Sequence, residues 1–270
     1  MTKEKYALLD TDFISKTHLI RKDDQNKMID RVMEMPGYRF YCHEQIRTEL
    51  TRHNIGNSPE WLEAKISDGS VQCISDEEII DELQPIYSDS AEAMYANMLK
   101  NACEAYKNGY FKENFTRLQA LDYLSISKET FLQELKADCD EIGEGKNLGE
   151  LKSYILLQML STKLGEQIYV FCSDDKNARS GIVSLGSARC ISVLSAFIWL
   201  HKEGVLLRED AEPYLQAYLS ECRKHDQTTF RVHDASKQMR MRKVPCEQVI
   251  EEMYDGKLEL LQNGNLRYKQ

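Results

Sequence analysis

The chain has no apolar run long enough to span a bilayer, which excludes a helical membrane protein. Its first residues, MTKEKYALLD, have neither the apolar core nor the cleavage site of a signal peptide. The eight cysteines are scattered and none forms a C-x-x-C pair, which argues against a zinc ribbon and a small disulfide framework. They read as reduced, mostly buried thiols of a cytoplasmic protein. There is no G-x-x-x-x-G-K-[ST] loop and no G-x-G-x-x-G fingerprint, so nucleotide-binding readings have no support. The six histidines show no metal-ligand spacing. Basic side chains are the minority, 35 against 44 acidic ones, and the net charge of −9 argues against a large basic surface. Nucleic acid stays open as a substrate, because carboxylates that hold a cation present a positive centre to phosphate.

What is present fits one large α/β domain with attachments: 270 residues, 42% of them hydrophobic and 29% charged. Tyr6 to Leu9 reads as a buried strand that exits into Asp10-Thr11-Asp12. Phe13 to Met35 reads as helical with a break near Lys22 to Gln25, and Pro36-Gly37 stops it. Tyr38 to Cys42 is a second strand, followed by the helix HEQIRTELTR with Glu44 and Glu49. A short helix over Trp61 to Ile66 and a third strand over Ser70 to Ile74 come next.

From Asp76 to Ile142 the pattern is helical throughout: three or four helices inserted between strands, as a cap over the site or as packing for the sheet. Gly149-Glu150 opens a strongly apolar helix, and Ile168 to Cys172 is a strand that exits into Ser173-Asp174-Asp175. Ser180 to Ser187 reads as a short strand or loop, Ala188 to His201 as a buried helix, and Arg208 to Arg223 as a helix with an acidic first turn. A small α+β extension is expected over 223–270, basic at first, with a helix over Pro245 to Tyr254 and a hairpin around Asn263-Gly264.

In a parallel sheet the carboxyl ends of the strands and the nearby helix starts face one crevice. Asp10, Asp12, Glu49, Glu150, Asp174 and Asp175 all fall at such positions. Taken singly, each has an ordinary explanation: Glu150 as a dipole partner, Glu49 as a solvated charge, Asp174 as an N-cap. Gathered, they repel one another unless a cation binds or a proton is taken up. Hard oxygen ligands suit Mg²⁺ or Mn²⁺, which favour phosphodiester hydrolysis.

LLDTDFIS, TEL, LGELKSYILLQML and YVFCSDDKNAR resemble, in that order, the four acidic motifs of PIN-domain nucleases. The run GSARCISVLSAFIWLHKEGVLLREDAEPYLQAYL resembles the closing helices of that fold. The resemblance covers about Tyr6 to Leu219 and implies a three-layer α/β domain over 1–222, with a mostly parallel sheet and a helical insert at about 76–142. It implies an Mg²⁺- or Mn²⁺-dependent ribonuclease that uses Asp10, Glu49, Glu150 and Asp175, with Asp10, Glu150, Asp174 and Asp175 as metal ligands. Asp12, Ser173 and Arg179 would support that set from behind, Arg179 through an ion pair with the acids or, alternatively, a phosphate contact. A toxin-like role, an antitoxin-like protein partner and a homodimer stay open.

Arg223, Lys224, Arg231, Arg240, Arg242 and Lys243 offer phosphate contacts, against the plainer reading of a solvated surface. Two alternatives remain. The D-x-D at Asp10 and Asp12 also resembles haloacid-dehalogenase-type phosphatases, with Asp10 as nucleophile and Asp12 as general acid. An inactive PIN-like module that binds RNA or protein is the other.

Overall fold

A computed structural model describes residues 3–143, 147–186, 188–222, 229–234 and 241–269. The first half runs β1 (Lys5–Leu9), α1 (Thr11–Leu19), α2 (Met28–Met33), β2 (Tyr38–His43), α3 (Glu44–His53), α4 (Ser58–Ser67) and β3 (Val71–Ile74). The insert is α5 (Asp76–Tyr87), a 3-10 turn (Ser88–Ser90), α6 (Ala91–Tyr106), α7 (Tyr110–Asn114), α8 (Thr116–Gln119) and α9 (Lys128–Ile142). Then come α10 (Leu148–Leu164), β4 (Ile168–Cys172), α11 (Lys176–Ser184), β5 (Ala188–Ile191), α12 (Val193–Lys202) and α13 (Arg208–Ala217), with a π turn at Tyr218–Cys222. The tail holds β6 (Thr229–His233), β7 (Met241–Pro245), α14 (Cys246–Tyr254), β8 (Leu258–Leu260) and β9 (Leu266–Tyr268).

The central sheet is all-parallel, in the order β3-β2-β1-β4-β5. The chain winds outward from β1 to β3, then returns on the other side of β1 to lay down β4 and β5. The reversal falls between β1 and β4, and their carboxyl ends open the crevice that this topology uses for ligands. Asp10 directly follows β1, and Ser173-Asp174-Asp175 directly follows β4.

Alternation along the strands sends side chains to two cores. Tyr6, Leu8, Tyr169 and Phe171 face one side, where α10, α11 and the insert cover them. Ala7, Leu9, Val170 and Cys172 face the other, packed on α1, α2, α12, α13 and α14. Each large apolar side chain removed from water contributes roughly 1.5–3 kcal/mol, so α10, with eight of them among its eleven buried residues, is a main beam of the fold. It is apolar nearly all round because the sheet lies on one flank and α5 and α6 on the other. The insert thus supplies sheet packing, and Tyr106 at the end of α6 is hydrogen-bonded to Asn147, just before α10.

Local chemistry sets the helix starts. Ser75 and Glu78 form a reciprocal capping box on α5, and Ser192 and Ser195 form one on α12. The His43 ring nitrogen Nδ1 accepts the Gln45 N–H at 3.0 Å and caps α3.

Four expectations change. The insert holds five α-helices, α5 to α9, and a 3-10 turn, where three or four helices were expected. Lys176–Ser184 is helical, where a strand or loop was expected from Ser180, because the Asp175 side chain caps it by accepting the Asn177 and Ala178 N–H groups. Ala188–Ile191 is a strand and not the start of a helix; Ser192 interrupts there and begins α12. The helix from Arg208 passes into a π turn at Tyr218–Cys222.

The tail carries its own four-stranded sheet, β7-β6-β9-β8, with β8 and β9 forming the expected hairpin. Val244, Val249, Ile250, Met253, Leu258 and Leu266 belong to the same core as Leu9 and Phe13, so the tail is welded to the main domain. Arg223, Lys224 and Arg240 lie outside the described residues. Arg231, Arg242 and Lys243 fall on β6 and β7, with no side chain described. Among the described residues no helix is long and apolar enough to cross a membrane.

Candidate active site

A cavity of about 240 Å³ opens at the carboxyl end of the sheet. Five carboxylates line it: Asp10, Asp12, Glu49, Glu150 and Asp175. They arrive from the β1–α1 junction, α3, the first turn of α10, and the β4–α11 junction. Thr11, Asn147, Arg52 and His53 complete the wall.

Asp10 is 4% exposed and accepts the Ser173 hydroxyl at 2.7 Å. Burial pushes its carboxyl up to about 7, with Asp12 and Glu49 adding to the rise and the Ser173 bond opposing it. Burial likewise pushes Glu150 up to about 8, helped by Asp10, Glu49 and Asp175. The protonated forms of both are therefore well populated near neutrality while no cation shares the pocket.

Glu49 is fixed by its neighbours. Thr11 Oγ1 donates to it at 2.7 Å, the Gly149 N–H at 3.0 Å and Gln45 Nε2 at 3.4 Å. A Cβ on Gly149 would stand 2.6 Å from Glu49 Oε2, so the glycine before Glu150 leaves the room that the contact uses.

Two expected residues stand elsewhere. Asp174, expected among the metal ligands, does not line the cavity: Lys16 Nζ pairs with it at 2.8 Å, and it accepts the Val193 N–H at 3.2 Å. Arg179 makes its described hydrogen bonds to carbonyls, with NH1 to Ser173 O and Nε to Asn263 O, both at 2.9 Å. It clamps the β4 exit to the β8–β9 hairpin and replaces the expected ion pair with the acids; burial lowers its pKa while Asp174 and Asp175 oppose the fall. Asp12, expected behind the set, lines the cavity and pairs with Lys16 at 3.2 Å.

Arg52 and His53 were not singled out from sequence. They lie three and four positions after Glu49, on the same face of α3, and that helical spacing is a legible signal. A second feature was hidden altogether. Lys152, 2% exposed within α10, donates to both oxygens of Asp76, at 2.9 and 2.7 Å, and to Tyr95 OH at 3.0 Å. His43 Nε2 lies 3.1 Å from the same Asp76, and because Nδ1 accepts the Gln45 N–H, Nε2 carries the proton. Burial disfavours the Asp76 carboxylate, but Lys152 and His43 outweigh it and hold the carboxyl far below its usual range.

The pocket's donors are hard oxygens, the kind that suits Mg²⁺ or Mn²⁺. Among the described residues no three His, Cys, Asp or Glu side chains form a group that could hold a metal ion as they stand. The fit is therefore one of donor chemistry and not of an assembled ligand shell. Comparison with family models, with curated proteins and with solved structures finds no match.

Proposed function

We propose that this chain is a PIN-like, Mg²⁺- or Mn²⁺-dependent ribonuclease that hydrolyses phosphodiester bonds within RNA. One observation carries the reading: five carboxylates from separated parts of the chain line one cavity at the reversal point of a parallel sheet. Four of them, Asp10, Glu49, Glu150 and Asp175, occur in the order of the motifs that the sequence resembles. A sheet ordered 3-2-1-4-5 with helices on both faces is compatible with that family's architecture.

A bound divalent cation would supply an activated water and neutralise charge on the phosphoryl oxygens. Asp10, Glu150 and Asp175 are the donors that would hold it. Glu49, anchored by Thr11 and Gly149, orients toward the same space and serves as acceptor for a proton of water. Ser173 fixes the direction of Asp10. Arg52 and His53 at the rim bring basic groups toward the phosphate of an incoming strand.

Cleavage of a labelled RNA by the purified protein with Mg²⁺ or Mn²⁺ tests the reading, with Asp10→Asn and Glu150→Gln as controls. Absence of cleavage with either cation, or undiminished cleavage by both variants, would overturn it. Release of phosphate from small monoesters without RNA cleavage would favour the phosphatase chemistry of Asp10.

A further inference from the structure

Beside the acid cavity lies a second one of about 370 Å³, walled by α6 of the insert and by α11. Its size falls within the range of small-ligand sites, roughly 300–1,000 Å³. Tyr106, Lys107, Asn177, Ser180 and Ser184 supply its chemistry: one aromatic ring, one cation, one amide and two hydroxyls. Tyr106 packs one side against the core, and the Ser180 and Ser184 hydroxyls donate to the Lys176 and Gly181 carbonyls of their own helix, which leaves their oxygen lone pairs to accept from a ligand.

The two cavities have no lining residue in common, but hydrogen bonds join their walls. Asn147 of the acid cavity is hydrogen-bonded to Tyr106 OH of the second one. Asp175 of the acid cavity accepts the N–H of Asn177, which lines the second. Tyr106 also lies close enough to Glu150 and Asp175 for both to reinforce the rise that burial gives its phenol. The ring is half-buried, braced edge-on by Tyr110 with centroids 5.4 Å apart, so its position is set before any ligand arrives. Among the described residues the Lys107 ammonium pairs with Glu113 at 3.4 Å, an exposed contact weak enough to yield to phosphate.

We propose that the second cavity receives the nucleotide next to the scissile phosphate of a single-stranded RNA, its base on Tyr106 and its phosphate toward Lys107. The inference rests on the ribonuclease reading of the neighbouring site. Aromatic rings take unstacked bases without regard to sequence, and hydroxyl and amide groups take ribose and base edges. A base within a duplex is already stacked and cannot enter. The insert then has a role beyond covering the sheet: it extends the acid pocket into a groove that selects single strands.

The test uses the full chain and a fluorescent single-stranded RNA of about eight nucleotides, inside the ~4–16-nucleotide sites of single-strand binders. Anisotropy without metal gives Kd, and cleavage with Mn²⁺ gives kcat and KM. Tyr106→Ala should raise Kd and KM about tenfold, the scale of one lost stacking contact, with a smaller change in kcat. Tyr106→Phe keeps the ring and should restore affinity to within about twofold. Ser180→Glu sits on the exposed face of α11, leaves the core untouched, and should weaken binding by adding negative charge where the strand lies. Cleavage with all three variants at wild-type KM overturns the subsite and leaves the nuclease reading standing. Binding that depends on Tyr106 without any cleavage keeps the subsite and overturns the nuclease. Equal affinity for the matching duplex, or no binding of single strands, overturns the subsite.

Discussion

Gly149 and Glu49 meet where α10 begins against α3: the glycine N–H donates to Glu49 Oε1 at 3.0 Å. A hundred residues separate them in the chain, and the contact exists because Gly149 has no Cβ to occupy the space of the carboxylate. The same first turn of α10 carries Glu150, so one backbone amide sets how two acids of the cavity stand relative to each other.

Gly149→Ala should therefore separate activity from stability. The new methyl group would lie 2.6 Å from Glu49 Oε2, and the flexible carboxylate would swing away. A lost hydrogen bond to a charged group costs about 1.5–3 kcal/mol, and the better helix propensity of alanine returns about 1. The expected net loss is on the order of 1 kcal/mol in a thermal or urea melt. RNA cleavage should drop by at least about tenfold. A variant that cuts RNA at the wild-type rate would show that the Glu49 position does not matter to the chemistry.

Asp10 and Glu150 make the metal-free protein sensitive to base. In the folded chain their carboxyls are raised, to about 7 and about 8, while the unfolded chain titrates near the ordinary values. Between about pH 4 and 8 the folded state binds more protons than the unfolded one, so stability falls as pH rises. The stabilisation is complete below the unfolded pKa and is lost as pH passes the raised values. Melts of the EDTA-treated protein from about pH 5 to 8 should show a declining Tm. Asp10→Asn and Glu150→Gln should flatten that decline and raise stability at pH 8 by on the order of 2 kcal/mol. A wild-type Tm that rises across this interval and an unchanged slope in both variants would contradict the shared, crowded pocket.

The strand exits that carry Asp10 and Asp175 were legible because a short apolar run that breaks into polar residues is a strong local pattern. The start of the helical insert at Asp76 was legible too, and there the Ser75–Glu78 capping box opens α5. What stayed hidden was decided across the sheet. Asp174 and Asp175 are neighbours in sequence, yet Lys16 on α1 claims the first and α11 claims the second as its cap. Strand β5 merged with the helix after it because four residues on a sheet edge, one of them the exposed Arg189, have too little pattern of their own. Lys152 reads as one polar residue in an apolar helix; its partner lies 76 positions away, in the insert.

That partner makes Lys152 a structural test of how the insert is attached. The Lys152–Asp76 pair joins α10 to α5, and Tyr95 and His43 tie in α6 and the start of α3. Breaking a buried pair from one side leaves the other charge uncompensated and costs about 3–5 kcal/mol. Asp76 retains 26% side-chain exposure, which places Lys152→Met at the lower end, about 3 kcal/mol. Adding Asp76→Leu removes the stranded carboxylate and should recover part of that loss, as a double-mutant cycle in urea would read out. If Lys152→Met alone is as stable as the wild type, the network has no role in fastening the insert.

The cation itself should leave a thermodynamic trace that does not depend on finding the right RNA. A ligand that binds only the folded chain stabilises it by about 2.7 kcal/mol at a hundred times its Kd. Mn²⁺ or Mg²⁺ added at pH 8, where Asp10 is mostly ionised and Glu150 about half so, should therefore raise Tm, and EDTA should reverse the rise. The double variant Asp10→Asn/Glu150→Gln should melt higher than the wild type without metal and show no further rise with it. Those two effects have opposite consequences for the wild-type comparison, and a merely structural role for either acid would not yield both. Equal Mn²⁺ stabilisation of the wild type and the double variant would place the cation elsewhere on the chain. No stabilisation of the wild type at millimolar metal would remove the cation, and the proposed hydrolysis with it.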